Sequence, residues 1–405
     1  IEKQTNYNVF ETGLVNPINY IFIFIVFTAI TPVFYVSPVE RFGDKSLHFL
    51  LFFVVFLDAI CFLFTNSYFL LLFFYELLVI PVFFILKYYG HYYRKIQASF
   101  FILIWALVGS FFIFLGFILF FFQEDFMPNA VFFLETSFSF WGLFFITLGF
   151  LVKVPSDLST FEYLDARRGA IKPIYFSGGV LVKLSVYGIL KFIYLSPLKL
   201  NFTLFYYLAV IGVIDSTLKM LIQIDSKVVI AFSTTVQMNL ICFIIFSMAN
   251  ESGDTLKLGL FNHLLTASIL FFFADQILVR FNTREFFFLS GLYYFLPVLS
   301  VNLVLFIVNQ INFPGFLGFF LDVYFLSTTL PSFAGTSFFL FFFLFVIEHL
   351  YILFFFLKIL YGVSTKFSTV ALKDLSYDEV LLSFFLLGVS FFFGTFPLTL
   401  KVLFA

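Results

Sequence analysis

Apolar residues in this chain come in continuous runs separated by short polar stretches. Many of the runs reach the roughly 20 residues that a helix needs to cross a hydrocarbon layer. A membrane β-barrel would instead show segments of about 10 residues with alternating character. In lipid a helix satisfies its backbone groups within the segment, so the pattern predicts helices. The spans fall near 17–36, 48–65, 68–87, 98–122, 138–155, 174–195, 203–223, 228–248, 258–279, 338–361 and 380–400. One further stretch, 288–330, is apolar but broken at Asn312, Pro314 and Gly315. It reads as two crossings or as one crossing with an unwound middle.

Charge placement separates these readings. With 288–330 as one broken crossing there are 12 spans. One side then carries 14 cations, among them Arg41, Arg94, Arg167, Arg280 and Lys366. The other carries 5: Lys3, Lys191, Lys199, Lys257 and Lys401. Such a bias is the positive-inside pattern, and a double crossing would weaken it by moving Lys358, Lys366 and Lys373 across. Both termini are therefore expected on the less basic side. The expectation is an all-α polytopic membrane protein of about 12 transmembrane helices.

Composition narrows the function. Of 405 residues, 62% are hydrophobic and 11% charged, against about 25% charged in soluble chains. Mean hydropathy is +1.09. So few charges cannot cover a soluble fold of this size, which excludes a soluble enzyme or a disordered chain. A net charge of −1 gives no field to attract nucleic acid. The two cysteines, Cys61 and Cys242, lie inside apolar runs and form no disulfide framework or metal motif. The polar stretch from Ile1 to Val15 has no basic segment before an apolar one, unlike a signal peptide. Phenylalanine alone accounts for 75 residues, and its T-rich codons point to an AT-rich, organellar genome.

Ionisable residues at membrane depth are expensive and mark function by default. Here they are Asp58, Glu76, Lys153, Lys183, Asp215, Lys219, His263, Asp322, Glu348 and His349, with Asp275 nearer a span end. Asp215 and Lys219 share a helix face at i, i+4 and read equally as a local ion pair. Glu348 beside His349 reads also as a satisfied buried pair. Glu76 and Lys153 each lie in a span with a proline, Pro81 and Pro155, which frees a backbone carbonyl and opens room for water or a cation. The chain has no phosphate loop, paired-cysteine motif or Ser-His-Asp signature. Buried lysines and carboxyls, spread over several helices, can pass protons because burial disfavours the charged form of each.

Six stretches carry a resemblance. Phe74-Tyr75-Glu76-Leu77-Leu78-Val79-Ile80-Pro81 and Gly149-Phe150-Leu151-Val152-Lys153-Val154-Pro155 resemble the F-x-E-x-x-x-I-P and F-x-x-K-x-P segments of the antiporter-like subunits of respiratory complex I. Leu181-Val182-Lys183-Leu184-Ser185-Val186-Tyr187-Gly188 and the run from Gln223 to Ser233 resemble the L-L-K-L-G-x-Y-G and Q-T-D-x-K-x-x-I-A-Y-S-S segments of the subunit-4 group. So do Asn262 to Ser268 and Phe313-Pro314-Gly315, the latter with Asp322 eight residues after Pro314. Order and spacing agree from about residue 66 to 330.

The resemblance implies a proton-translocating membrane-arm subunit with two discontinuous helices, Lys153 in the first and Asp322 in the second. Its family has 14 spans, so the chain is expected to lack the first two. One transmembrane domain is expected, with N-terminal helices over 16–65, the antiporter-like fold over 66–330 and C-terminal helices over 331–405. The implied roles are Glu76 pairing with Lys153, Lys153 as proton carrier, Lys183 and His263 as the lateral link, and Asp322 as terminal carrier in place of the family's Glu. Asp215, Lys219, Glu348 and His349 are accessory candidates. Three family histidines are replaced, by Thr160, Arg167 and Gln237. The resemblance further implies no metal or cofactor on this chain, with NAD, flavin, Fe–S clusters and quinone in other subunits. Partners would be other membrane-arm subunits, neighbouring antiporter-like ones included, and lipids such as cardiolipin, in the mitochondrial inner membrane. Two other readings stay open: a subunit of a stand-alone cation/proton antiporter, and a structural subunit with an inactive relay.

Overall fold

The computed structural model describes residues 45–65, 68–89, 95–121, 137–154, 181–195, 203–246, 252–281, 283, 285, 289–329, 335–362 and 373–396. The span expected at 17–36 lies outside the described residues, as do 174–180, 397–400 and the replaced histidine positions Thr160 and Arg167. The regular structure described is helical, apart from an isolated antiparallel bridge between Asp225 and Glu285. Six helical stretches among the described residues are long and apolar enough to cross a bilayer by length and composition. The chain forms two compact units, divided among the described residues between Phe205 and Tyr206.

The first unit holds α1 (Lys45–Phe64), α2 (Tyr68–Leu77), α3 (Val79–Tyr89), α4 (Lys95–Phe121), α5 (Ser137–Lys153) and α6 (Val182–Leu195). The run expected as one span at 68–87 is interrupted at Leu78. Pro81 explains the position: it has no N–H for the Leu77 carbonyl four residues back. Helices α4 and α5 approach closely because glycines face each other. A Cβ on Gly149 would stand 2.5 Å from the Gly109 oxygen, and one on Gly116 2.7 Å from the Gly142 oxygen. Small residues of this kind let membrane helices touch backbone to backbone. The C-terminal end of α1 leaves carbonyls without intrahelical partners. From α6, the Tyr187 hydroxyl donates to the Leu63 oxygen at 3.2 Å and Lys191 Nζ to the Thr65 oxygen at 2.5 Å. A cation there also suits the negative end of the helix dipole.

Nearly all of α7 (Thr203–Leu221) belongs to the second unit, with α8 (Ser226–Phe246), α9 (Ser252–Phe281), α10 (Leu292–Phe295), α11 (Pro297–Gln310), α12 (Leu317–Thr329), α13 (Gly335–Tyr361) and α14 (Tyr377–Thr395). Helix α8 is buried along its length, with every residue but Gln237 inside. Asp225 caps its start by accepting from the Lys227 N–H at 2.9 Å. At one end of the unit Arg280 of α9 donates to Glu379 Oε2 at 2.8 Å and to the Lys373 and Asp374 carbonyls. Asp374 in turn accepts from the Val298 and Leu299 N–H groups at the start of α11, at 2.8 and 3.0 Å. Glu379 and Ser376 form the capping box of α14. One network thus pins α9, α11 and α14.

Between α11 and α12 the helix unwinds over residues 311–316, where the sequence places Asn312, Pro314 and Gly315. Asn312 has φ 58° and Gly315 φ 106°. Gly enters the left-handed region freely, and Asn more readily than most side chains. With 14 and 13 residues, α11 and α12 are about 20 Å long each, short of the ~30 Å hydrocarbon layer.

Candidate functional site

The geometry builds two clusters, one in each unit. In the first, Glu76 stands one residue before the end of α2, and Lys153 ends α5. Lys153 Nζ lies 3.4 Å from Glu76 Oε1, across 77 residues of sequence. It also lies 3.6 Å from the centre of the Tyr75 ring, a cation–π contact. The lysine side chain is 7% exposed and the glutamate 30%. Tyr75 itself is fixed from both sides. Its ring stands 5.4 Å from Phe62 and 5.1 Å from Phe150. Its hydroxyl is 2.7 Å from Ser185 Oγ. Ser185 spends its single proton on the Leu181 carbonyl at 2.8 Å, so Tyr75 is the donor of the pair.

The glycine-lined crossing of α4 and α5 sets where Lys153 sits. A Cβ on Gly109 would come within 3.2 Å of the lysine Cγ. The position at the last turn of α5 also places the ammonium at the negative end of the helix dipole. Such a pair can hold a proton on the lysine while the carboxylate is near, and release it when the carboxylate is drawn away.

The second cluster forms around the break between α11 and α12. Asn312 Nδ2 donates to Asp322 Oδ2 at 2.8 Å and stands 3.4 Å from His349 Nε2. The Asn312 amide fills the space above Gly318, where even a Cβ would overlap it. Glu348, beside His349 on α13, is fully buried, and neither of its oxygens has a hydrogen-bond partner among the described residues.

The remaining candidates divide. Lys183 on α6 is fully buried in the first unit, and His263 on α9 is 2% exposed in the second. Asp215 and Lys219 form the i, i+4 ion pair on α7, both side chains more than a third exposed. Asp58 on α1 is buried, and its Oδ2 has no hydrogen-bond partner among the described residues. No group of three or more His, Cys, Asp or Glu side chains fit to hold a metal occurs among the described residues. Three participants were not singled out from sequence: Tyr75, Ser185 and, as more than a helix breaker, Asn312. Tyr75 carried a signal, being a polar-tipped aromatic next to a membrane carboxyl. Ser185 and Asn312 carried none without the fold.

Comparison with known proteins adds the following. Residues 65–348 match the family described as "NADH:quinone oxidoreductase/Mrp antiporter, TM", a stretch that includes Glu76, Lys153, Lys183, His263 and Asp322. The NADH-ubiquinone oxidoreductase chain 4 of Marchantia polymorpha is 32% identical over 254 residues, which cover 60% of this chain and 51% of that protein. The protein of that name from Mycosarcoma maydis is 26% identical over 395 residues, covering 91% and 78%. Matches to the first of these relatives thus span about half of their length. A chain of the Mrp complex from Dietzia sp. DQ12-45-1b shares the fold with a TM-score of 0.80 at 13% identity, over 96% of this chain and 82% of that one. A chain of respiratory complex I from Thermus thermophilus with bound aureothin does so at 0.77 and 15% identity, over 95% and 85%.

Proposed function

The chain belongs to the NADH:quinone oxidoreductase/Mrp antiporter transmembrane family, and from that premise we propose that it is a proton-translocating membrane-arm subunit of respiratory complex I. The observation that carries the reading is the Glu76–Lys153 pair, held on the Tyr75 ring at the junction of α2, α5 and α6. Redox chemistry is assigned to other subunits, which would hold NAD, flavin, Fe–S clusters and quinone. The neighbours would be further membrane-arm subunits and lipids such as cardiolipin, in the mitochondrial inner membrane. In this reading the chain crosses the bilayer 12 times. Lys153 would lie in one discontinuous helix and Asp322 in the other, next to the unwound residues 311–316.

The mechanism follows from the pair's electrostatics. At 3.4 Å and an effective dielectric near 20, opposite charges attract by roughly 5 kcal/mol before discounting for the glutamate's partial exposure. A charge displaced in a neighbouring subunit shifts that balance. When Glu76 is drawn off, Lys153 gives its proton up to Lys183. His263 and then Asp322 complete the transfer to the less basic side. When Glu76 returns, Lys153 takes a new proton from the basic side.

Replacing Lys153 by Met in the assembled complex tests this. The expected result is an assembled, electron-transferring complex whose proton translocation per electron falls. A normal ratio overturns the assignment. Because the fold is shared with a chain of an Mrp complex, a second reading is a cation/proton antiporter subunit. Proton movement driven by a sodium gradient, without an electron donor, in reconstituted vesicles would favour that reading instead.

A further inference from the structure

Glu348 has no place in the relay just described, yet it sits where a carboxyl is hardest to justify as packing. It is fully buried on α13, and both oxygens are without a hydrogen-bond partner among the described residues. An ionised carboxylate buried without a donor is strongly disfavoured, and in membrane spans such groups face functional interiors. A leucine would fill the same volume without that cost.

Its surroundings explain it. Asp322, the terminal carrier in the proposed path, is held by the Asn312 amide at 2.8 Å. The residue after Glu348, His349, meets the same amide that holds Asp322. Asn312 offers two N–H hydrogens, one to Asp322 Oδ2 and one toward His349 Nε2. The amide favours negative charge on Asp322, and nothing described stabilises it on Glu348. Two carboxyls sharing one site do not readily ionise together.

We propose that Glu348 is a second proton-holding carboxyl of the Asp322 site, storing a proton beside the terminal carrier and passing it to Asp322. The inference rests on the proton-translocation reading above. In the step the O–H bond on Glu348 breaks and one forms on Asp322. The negative charge moves the other way, no electrons are transferred, and the net charge of the site is unchanged. Asn312 keeps the two states distinct. One of its N–H hydrogens holds the ionised Asp322, and rotation of the amide by half a turn presents its oxygen to a protonated one.

The experiment uses the assembled complex in native membranes and dicyclohexylcarbodiimide, which modifies protonated carboxyls in apolar surroundings. Mass spectrometry of the wild-type protein is expected to find the adduct on Glu348. The Glu348→Gln complex is expected to assemble, to lose that adduct and to translocate protons on the order of 10²-fold more slowly, the lower end of what a positioned proton-transfer group supplies. Glu348→Asp should restore part of the rate. An unmodified Glu348 in the wild-type protein overturns the inference, and this measurement decides even if Glu348→Gln fails to assemble. So does an assembled Glu348→Gln complex with normal translocation. If Lys153→Met abolishes translocation while Glu348→Gln leaves it unchanged, only the role of Glu348 falls. If both leave it unchanged, the proton-translocation reading falls as well.

Discussion

At the end of α5 a lysine faces a glutamate at 3.4 Å over an aromatic ring, so opposite charges meet. Around Asn312, in the other unit, the two carboxyls Asp322 and Glu348 share their surroundings with an amide and an imidazole. The first cluster is neutral with its lysine protonated, because each charge compensates the other. The second becomes neutral only by binding protons. A pair of the first kind responds to separation of its members and suits a switch. A group of the second kind responds to proton supply and suits a store. Both arrangements tolerate burial, by different means.

The sharpest way to break the contrast is to evict Asn312. In Gly318→Ala the new methyl would occupy the position of the Asn312 amide oxygen. The asparagine must swing out, and Asp322 loses its donor. Overpacking of this sort costs about 1–3 kcal/mol. The complex should melt at a lower temperature and translocate protons poorly, with the Glu76–Lys153 pair intact. An unchanged melting temperature would mean that Asn312 has room to move and does not divide the site.

Next in size is removal of the counter-charge in the first cluster. Glu76→Gln keeps the shape and the cation–π contact with Tyr75 but takes away the anion. If the pair works as a switch, Lys153 is then held too weakly and translocation slows by about tenfold, or 1.4 kcal/mol. Equal rates for Glu76→Gln and the unaltered complex would reduce Glu76 to a structural partner.

How far these clusters could be read in advance differs between them. Apolar runs as long as a bilayer announce helices whatever their neighbours, so α8 and α9 fall where the pattern places them. Asp215–Lys219 was legible from spacing alone, because four residues make one helical turn. Glu76 and Lys153 are 77 residues apart, and only the resemblance paired them. Tyr75–Ser185 spans 110 residues, and nothing in either local run signals the other. Asn312 was legible as a break, since its neighbours Pro314 and Gly315 disfavour helix. Its second task, dividing Asp322 from His349, depends on α13 and is invisible along the chain. The Asp374 carboxylate that caps α11 from 75 and 76 residues away is of the same kind. Local chemistry is written in the sequence; partnerships across the fold are written in the packing.

The smallest expected effect tests how the first cluster is held rather than how it is charged. Tyr75→Phe keeps the ring under Lys153 Nζ and the contacts to Phe62 and Phe150, and removes only the hydroxyl. Ser185 then loses a donor but keeps its bond to the Leu181 carbonyl, so no buried proton is stranded. The loss is that of one neutral hydrogen bond, about 1 kcal/mol. Tyr75→Leu removes the ring as well and forfeits the cation–π attraction, worth up to about 2 kcal/mol when desolvated. If the ring positions the ammonium, translocation should fall slightly in the phenylalanine variant and clearly further in the leucine variant. Equal falls in the two would place the function of Tyr75 in its hydroxyl, and make the Ser185 bond the link that joins α2 to α6.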